Sequence, residues 1–530
     1  MGGACSRKRD HRDDEDDFHL GVSRRYCKSG SSKWLTTSFT RPVLDNQPGR
    51  GKGPSLMDLC IRKICEDIDK YNTFSMLPRD ISQQIINELV YSGCLTDVSF
   101  EGFRDCALQD LYLGEYPGVN DCWMDVISSQ GSSLLSLDLS GSDVTDNGLI
   151  FLKDCTSLQA LNFNYCDHIS DHGLGHISGL SSLTNLSFRR NSAITAHGMS
   201  AFANLINLIK LDLEKCPEIH GGLVHLQGLT KLESLNIKWC NCIDDADMKP
   251  LSGLTNLKCL QVSCSKVTDF GITYLKGLHK LSLLNLEGCP VTAACLDSLS
   301  GLTNLESLNL DSCRIGDEGL VNLTGLQHLK CLELSETEVG SNGLRHLSGL
   351  INLESINLSF TVVTDSGLRK LSGLSSLKSL NLDARQITDT GLAALTSLTG
   401  LTHLDLFGAR ITDSGTHYLR SFKNLRSLEI CGGGLTDAGI KNIKDLSSLT
   451  LLNLSQNCNL TDKALELISG LTGLISLNVS NSRITNSGLR HLKTLKNLKS
   501  LTLESCKVTA NEIRKLQLTD LPNLVSFRPE

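Results

Sequence analysis

The run Leu305-Glu306-Ser307-Leu308-Asn309-Leu310 is followed by Cys313 and by the turn Ile315-Gly316-Asp317-Glu318-Gly319-Leu320. The same phrase returns every 24 or 25 residues from Leu134 almost to the end of the chain, in about sixteen units. A period of this length indicates a solenoid, in which each unit packs against its neighbours. The sequence therefore predicts one long array over residues 105–530, opening with a degenerate unit at 108–113 and closing with a half-unit at 521–527.

Each unit combines two hydrophobic periods. Leu308 and Leu310 alternate with polar residues, which predicts a short strand whose leucines point inward. Leu320, Leu323 and Leu326 are three apart, which indicates a short helix or turn on the other side of the unit. We therefore expect an α/β fold in which the strands of successive units form one parallel sheet.

A Thr-Asp pair recurs at the start of the second half of the unit, for example at Thr364-Asp365 and Thr388-Asp389. Short side-chain oxygens at such a position accept hydrogen bonds from the unpaired amides of a helix start. The pair is therefore predicted to cap the short helices.

A small side chain occupies the position eight residues after the first leucine of most units. Cysteine holds this position at Cys166, Cys216, Cys240, Cys289, Cys313 and Cys506. Such side chains can bond backbone groups at the tight turn that leaves the strand. In this respect the array resembles the cysteine-containing leucine-rich repeats of F-box/leucine-rich-repeat proteins. The resemblance implies a horseshoe with the parallel sheet on its concave face, where a protein target would bind.

Composition narrows the classes of function. The net charge of −7 and the pI near 6.1 argue against a nucleic-acid binder, which normally has a basic domain. No apolar segment follows Met1, so the 21 cysteines are expected to be reduced thiols in the cytoplasm. No stretch of about 18 apolar residues is present that would span a membrane.

The residue four positions after each first leucine points outward from the predicted strand. It is asparagine, aspartate or another polar residue in every unit, as at Asp138, Asn309 and Asn453. This monotony predicts a solvated ladder of hydrogen-bonded side chains along the concave face.

The neighbouring outward positions are less regular and supply the candidate binding residues. In the early units they are Tyr165, Arg189, Arg190, Lys215, Lys238 and Trp239, and further along they are Phe360 and Phe407. Cations beside aromatic rings are frequent at binding hot spots. The alternative is that these are scattered exposed side chains, which are common on any surface.

The segment 1–53 lacks the apolar periodicity of a core and is predicted to be disordered. It begins Met1-Gly2-Gly3-Ala4-Cys5-Ser6, which matches the N-myristoylation pattern at Gly2. Because one myristoyl chain binds a bilayer only marginally, palmitoylation of Cys5 would have to supply a second anchor to the plasma membrane. The alternative is a chance match of a short motif.

Residues 54–104 have helical spacing. The phrase Leu77-Pro78-Arg79-Asp80-Ile81, with Ile85 and Leu89, resembles the opening of an F-box, the module that docks the Skp-type adaptor of a cullin ligase. The closing half of that motif is replaced by Leu95-Thr96-Asp97-Val98-Ser99-Phe100. Two alternatives therefore stand, an adaptor-docking segment and a pair of helices that cap the first repeat.

We find no motif for catalysis, a cofactor or a metal. His168, His172 and His176 are four apart beside Cys166, but the repeat places them at a strand exit and turn rather than on one helical face. The sequence therefore predicts a protein-recognition module that is not an enzyme. Its first interpretation is the substrate receptor of a cullin-type ubiquitin ligase, and the alternative is a membrane-tethered scaffold without a ligase role.

Overall fold

A computed structural model describes residues 55–383 and 386–528. The chain divides into two compact units, Met1–Leu59 and Cys60–Glu530, and only residues 55–59 of the first are described. The architecture below is that of the second unit.

The described part of the second unit is built on one parallel sheet of eighteen three-residue strands. They are β1 Asp110–Tyr112, β2 Ser136–Asp138, β3 Ala160–Asn162, β4 Asn185–Ser187, β5 Lys210–Asp212, β6 Ser234–Asn236, β7 Cys259–Gln261, β8 Leu283–Asn285, β9 Ser307–Asn309, β10 Cys331–Glu333, β11 Ser355–Asn357, β12 Ser379–Asn381, β13 His403–Asp405, β14 Ser427–Glu429, β15 Leu451–Asn453, β16 Ser476–Asn478, β17 Ser500–Thr502 and β18 Ser526–Arg528. Each strand pairs with its sequence neighbours in the same register, so that Leu308 lies beside Leu332. The predicted sheet is confirmed, and both the degenerate first unit and the closing half-unit supply strands to it.

Short helical segments return the chain from one strand to the next. The α-helices are α1 Leu56–Glu66, α2 Arg79–Ser92, α3 Asp97–Glu101, α4 Asp121–Ser128, α5 Asp146–Leu149, α6 Asp171–Ile177, α7 Asp245–Met248, α8 Asp269–Ile272, α9 Cys295–Leu299, α10 Asp365–Leu368, α11 Asp389–Ala394, α12 Asp437–Ile443, α13 Asp462–Ile468 and α14 Ala510–Thr519. The 3₁₀ helices are Ile68–Lys70, Gly131–Ser133, Ile150–Asp154, Gly198–Asn204, Gly222–Leu226, Lys249–Gly253, Thr273–Leu275, Asp317–Leu323, Gly343–His346, Arg369–Leu371, Gly415–Ser421 and Asn486–Thr494. In the described part of the chain, each helix is too short or too polar to cross a bilayer.

The core is a stack of leucines with a row of small polar side chains at its edge. Leu308, Leu320 and Leu326 are fully buried, as the two periods predict. The cysteine position is confirmed as a buried backbone-bonding site, since Cys216 Sγ donates to Phe188 O at 3.1 Å and Cys313 Sγ to Leu286 O at 3.1 Å. Burial raises the pKa of the Cys216 thiol to about 12, so this thiol stays protonated at neutral pH.

The Thr-Asp pair has two separate roles. The threonine caps its own helix, since Thr388 Oγ1 accepts from Thr390 N at 3.2 Å. The aspartate reaches forward instead, because Asp365 accepts from both Thr388 N, at 2.8 Å, and Thr388 Oγ1, at 2.5 Å. We call this pair of hydrogen bonds an Asp–Thr bridge. It joins successive repeats on the helical side, as the ladder of backbone hydrogen bonds does on the strand side.

The Asp–Thr bridge explains the glycine that follows it in the motif. A Cβ atom on Gly391 would lie 2.4 Å from Asp365 Oδ1. Because real Cβ atoms do not approach an oxygen so closely, the carboxylate of the preceding repeat favours glycine at this place. The bridges of Asp269 and Asp437 are exceptions, with Cys295 and Ala464 in the corresponding position.

The first repeat is covered by α2 and the residues around it. Ile85 and Leu89 of α2 are fully buried. On the edge strand β1, Gln83 Nε2 donates to Asp110 O at 2.6 Å, and Gln83 Oε1 accepts from Gln109 N at 3.0 Å. These bonds satisfy backbone groups that an edge strand leaves open, which favours the capping alternative for residues 54–104.

Candidate functional site

The outer side of the sheet, which we call the strand face, presents four side chains from each repeat. In the unit of β5 they are Lys210, Asp212, Glu214 and Lys215. The first three alternate with buried residues along the strand, and the fourth lies in the turn directly after it.

The second of these positions, four residues after the first leucine of each unit, was predicted to form a solvated ladder. Asn162 is 4% exposed, Asn453 5% and Asp212 8%. The prediction of solvation is wrong for ten of the sixteen positions, because parallel strands lie about 4.8 Å apart and a short side chain is covered by its neighbours on both sides. The other six are half-buried, namely Gln261, Asn285, Asn309, Glu333, Asn478 and Thr502. The hydrogen bonding is confirmed, since Asn453 Oδ1 accepts from Ser455 N at 3.1 Å and Asn453 Nδ2 donates to Glu429 Oε2 at 2.7 Å.

Two buried carboxyl groups lie side by side in this position on β13 and β14. Burial, and then the charge of Glu429, raise the pKa of Asp405 to about 8. Asp405 Oδ1 accepts from Phe407 N at 2.9 Å. The pair is internal to the sheet. It therefore makes the stability of the fold depend on pH and adds nothing to an exposed contact surface.

The fourth position carries a row of large side chains on four consecutive repeats, three of them exposed and Lys215 half-buried. The row, which we call the Tyr-Arg-Lys-Trp row, consists of Tyr165, Arg190, Lys215 and Trp239. Arg190 Cζ lies 5.6 Å from the centre of the Tyr165 ring, and Lys215 Nζ lies 5.8 Å from the centre of the Trp239 ring. Tyr165 is 47% and Trp239 40% exposed. Two cation–π pairs therefore stand next to each other, each worth about 0.5–1 kcal/mol at an exposed site.

The backbone of this row is left-handed. Its φ angles are 59° at Tyr165, 57° at Arg190, 61° at Lys215 and 61° at Trp239. The turn requires this conformation because each amide bonds forward to the next repeat, as Tyr165 N does to Arg189 O at 2.8 Å. Other repeats place glycine in the same position, at Gly141, Gly288, Gly408 and Gly432, where positive φ carries no Cβ penalty.

The remaining predicted cations have different surroundings. Arg189 Nε lies 2.7 Å from Asp212 Oδ2 and 3.7 Å from Glu214 Oε2, so it is engaged inside the strand face. Burial raises the pKa of Asp212 although Arg189 opposes the shift. Lys238 is half-buried beside Trp239. Arg189 therefore supports the row, and Arg190, Lys215 and Lys238 present the charge.

The two predicted phenylalanines stand apart from the Tyr-Arg-Lys-Trp row. Phe360, at φ 56° and 56% exposed, follows β11, and Phe407 is half-buried after β13. The row follows β3–β6, so the structure does not join Phe360 and Phe407 to it.

The residues predicted to dock an adaptor differ in exposure. Leu77 and Pro78 are exposed and Ile81 is half-buried, whereas Ile85 and Leu89 face the core. The last two side chains are thus occupied by the chain's own first repeat. Gly2 and Cys5 lie outside the described residues.

One repeat replaces the Asp–Thr bridge with a histidine. His220 Nδ1 lies 2.8 Å from Asp247 Oδ2, and Asp247 Oδ1 accepts from Gly221 N at 2.7 Å. The hydrogen bond to Asp247 raises the pKa of His220. His220, Asp244 and Asp247 are close enough to share a metal ion, but the hydrogen bonds to Asp247 account for the arrangement as a variant link between repeats. Sequence spacing missed this group because its members come from two repeats.

The repeats match two family models, both described as leucine-rich repeat. One matches residues 132–153, 154–178, 228–252, 301–323, 325–348, 349–372 and 398–416, and the other matches 423–484. These segments begin at residue 132, so the F-box resemblance of residues 77–89 stays a prediction. No curated protein matches the chain.

Several solved structures are similar to the chain. An internalin of Listeria monocytogenes is 24% identical over 76% of this chain and 88% of its own, with a TM-score of 0.37. A leucine-rich-repeat protein of Leptospira interrogans is 22% identical over 74% and 94%, with a TM-score of 0.47. The mouse RP105/MD-1 complex matches at 18% identity over 82% and 84%, with a TM-score of 0.49.

The assignment follows from the matched segments and from the observed register. Leucines of equivalent position pair from strand to strand, as Leu137 does with Leu161. The chain therefore carries leucine-rich repeats and folds as a leucine-rich-repeat solenoid.

Proposed function

We propose that the chain is a protein-recognition module that binds its partner on the strand face, across β3–β6. The Tyr-Arg-Lys-Trp row carries this proposal. Its four side chains occupy a left-handed position that glycine fills in four other described repeats and that a non-glycine residue fills in eight more, at a cost of about 1 kcal/mol or more each. Among the described repeats, these four place two adjacent cation–π pairs at this position. Because these side chains contribute little to the core, their arrangement supports a binding role.

The proposal is tested by affinity purification of the full chain from native cells with quantitative mass spectrometry. The test variant is Arg190→Glu with Lys215→Glu. Its matched control is Arg369→Glu with Lys370→Glu, which reverses two exposed charges on the helical side. We expect partners to be lost from the first variant and kept by the control. Equal recovery from both, with unchanged circular dichroism, would exclude this surface.

We propose as a second candidate that residues near the first repeat dock a Skp-type adaptor, which would make the chain a ubiquitin-ligase substrate receptor. The supporting observation is that Met76 and Leu77 are 89% and 36% exposed, next to the exposed Pro78. Such exposed apolar side chains before α2 are available to a partner, unlike Ile85 and Leu89.

The ligase proposal predicts that a Skp-type adaptor and a cullin co-purify with the chain and are lost from Met76→Asp with Leu77→Asp. The control is Val98→Asp, which changes another apolar side chain that is 82% exposed. Absence of both ligase subunits from the wild-type sample would leave the scaffold alternative.

We propose that the scaffold alternative acts at the plasma membrane through acylation of Gly2 and Cys5. The motif Met1–Ser6 supports it. Metabolic labelling with an alkyne analogue of myristate should label the wild type and not Gly2→Ala, and an unlabelled wild type would remove the membrane role.

A further inference from the structure

The positive charge of the strand face is confined to three strands. Each unit from β1 to β17 has the four outward positions defined above. Among the described residues at these positions, lysine or arginine occurs only in the units of β4, β5 and β6, at Arg189, Arg190, Lys210, Lys215 and Lys238. We call these residues the basic patch. Arg189 is paired with Asp212. Among the described residues, no carboxylate lies within 4.0 Å of the terminal nitrogens of Arg190, Lys215 or Lys238.

A patch of the opposite sign follows along the same face. Glu287, Asp311 and Glu336 occupy outward positions in the units of β8, β9 and β10, and we call them the acidic patch. Their bonds are to neutral groups, such as Ser312 Oγ, which donates to Asp311 at 2.7 Å and to Glu336 at 3.3 Å. No described lysine or arginine forms an ion pair with these three carboxylates.

The geometry gives the two patches a fixed separation. The unit of β7 lies between them and presents Cys259, Gln261, Ser263 and Cys264, which carry no formal charge at neutral pH when the thiols are protonated. From β5 to β9 there are four strand spacings, or about 19 Å. An extended peptide covers that distance in about six residues.

We propose that the strand face binds an extended protein segment of mixed charge, with acidic residues over the basic patch and basic residues about six positions away over the acidic patch. This inference rests on the proposed function. The rings of Tyr165 and Trp239 stand at the two ends of the cationic pair Arg190 and Lys215, where they add apolar contact to the acidic half of the segment.

A nucleic acid suits this surface less well than such a segment. Proteins that bind single-stranded nucleic acid use a positive groove that follows the backbone over several nucleotides. Here a phosphate chain that leaves the basic patch toward β8 meets Glu287 and Asp311 within about 15 Å. At physiological salt, charges are screened over about 8 Å, so the acidic patch repels that part of the chain directly.

The test measures binding of fluorescein-labelled peptides to the full chain by fluorescence anisotropy. The bipolar probe is Glu-Asp-Glu-Gly-Ser-Gly-Lys-Arg-Lys, whose charged triplets are centred six residues apart. Its control has the same composition with the acidic and basic residues alternating. We expect the bipolar probe to bind at least about tenfold more tightly than the control, because only it can engage both patches at once.

Charge-reversal variants test whether each half of the probe binds the patch of opposite charge. Arg190→Glu with Lys215→Glu, and separately Asp311→Lys with Glu336→Lys, should each weaken the bipolar probe at least about tenfold. Arg369→Glu with Lys370→Glu should leave its affinity unchanged.

Equal affinity for the bipolar and alternating peptides overturns the proposal. So does tighter binding of a single-stranded RNA oligonucleotide that is lost in Arg190→Glu with Lys215→Glu. If neither peptide binds while cellular partners still depend on Arg190 and Lys215, the proposed mixed-charge ligand is wrong and the proposed binding surface stands. If both experiments fail, the surface itself is wrong.

Discussion

At the scale of single residues, the buried carboxyl group of Asp405 makes stability depend on pH. The repeats of β12 and β15 place Asn381 and Asn453 in the same position, where no charge has to be buried. The amide of Phe407 needs only an acceptor oxygen, which asparagine also offers. At this buried position a carboxylate is therefore energetically less favourable than the amide of asparagine.

Asp405→Asn should therefore stabilise the chain in a pH-dependent way. The pKa of Asp405 is raised from 3.8 to about 8 in the folded chain. Between these values the unfolded carboxyl is ionised and the folded one is protonated, so wild-type stability falls as pH rises from about 4 to 8. We expect the variant to gain at least about 1 kcal/mol at pH 8 and little at pH 4, measured by urea denaturation. An equal gain at both pH values would contradict the assignment.

A second residue-scale feature is the close approach of most Asp–Thr bridges to a glycine. Gly391→Ala would place its Cβ against Asp365 Oδ1, and we expect a loss of about 1–3 kcal/mol in the free energy of unfolding. Gly301→Ala is the matched control, because a Cβ there meets no atom within 4 Å. Comparable unfolding midpoints for the two variants would show that the bridge relaxes at no cost.

At the scale of elements, the end of the solenoid depends on α2. Ile85→Asp should unfold the cap, because an unpaired carboxylate cannot be buried in a core where Ile85 is 0% exposed. We expect hydrogen exchange to lose protection in α2 and β1 while strands such as β12 keep it, since repeats contact only their neighbours. Met76→Asp, at an 89% exposed position, should leave protection unchanged. Loss of protection along the whole array would contradict this picture.

The elements themselves are predictable from sequence, because the two hydrophobic periods of the repeat give the strand and the helical side directly. What the pattern cannot give is how closely neighbouring strands crowd a side chain, which is why Asn162 is buried although its position alternates outward. The cap was predicted only as one of two alternatives, because the bonds from Gln83 to the start of β1 join residues more than twenty positions apart and have no local signal.

The candidate site was predicted only in part. The sequence identified the members of the Tyr-Arg-Lys-Trp row from their residue types. It did not predict their positive φ angles, because the usual signal for this conformation is glycine, and glycine is absent from these four repeats at that position. The pairing of Arg189 with Asp212 depends on two strands and has no local signal.

At the scale of the whole molecule, the helical side is joined by a series of Asp–Thr bridges with gaps. Asp269 bridges to Thr292, but Ala293 and Gly316 supply no such pair at the next junction. A solenoid's stability depends on each junction between neighbours, so this junction is a weak point of the array.

Ala293→Asp with Gly316→Thr should add the missing bridge and raise the free energy of unfolding by about 1–2 kcal/mol. Gly316 already has the extended conformation of the bridging threonines, with φ −106° and ψ −179°. Each single variant should give less than half of the gain, because the bridge needs both partners. A double-mutant cycle by urea denaturation measures this coupling, and strictly additive effects would argue against a bridge.

On the proposed binding surface, the left-handed turn after each strand separates the side chain offered to a partner from the backbone that holds the array together. The amide of that residue maintains the stack whichever side chain is attached, and glycine at Gly141 or Gly408 fulfils the requirement with the least strain. Substitutions at this one place per repeat can therefore exchange one ligand for another while the scaffold is preserved. Replacing glycine at this one position in several repeats would therefore change the presented surface without refolding the array, at a cost of about 1 kcal/mol for each replacement.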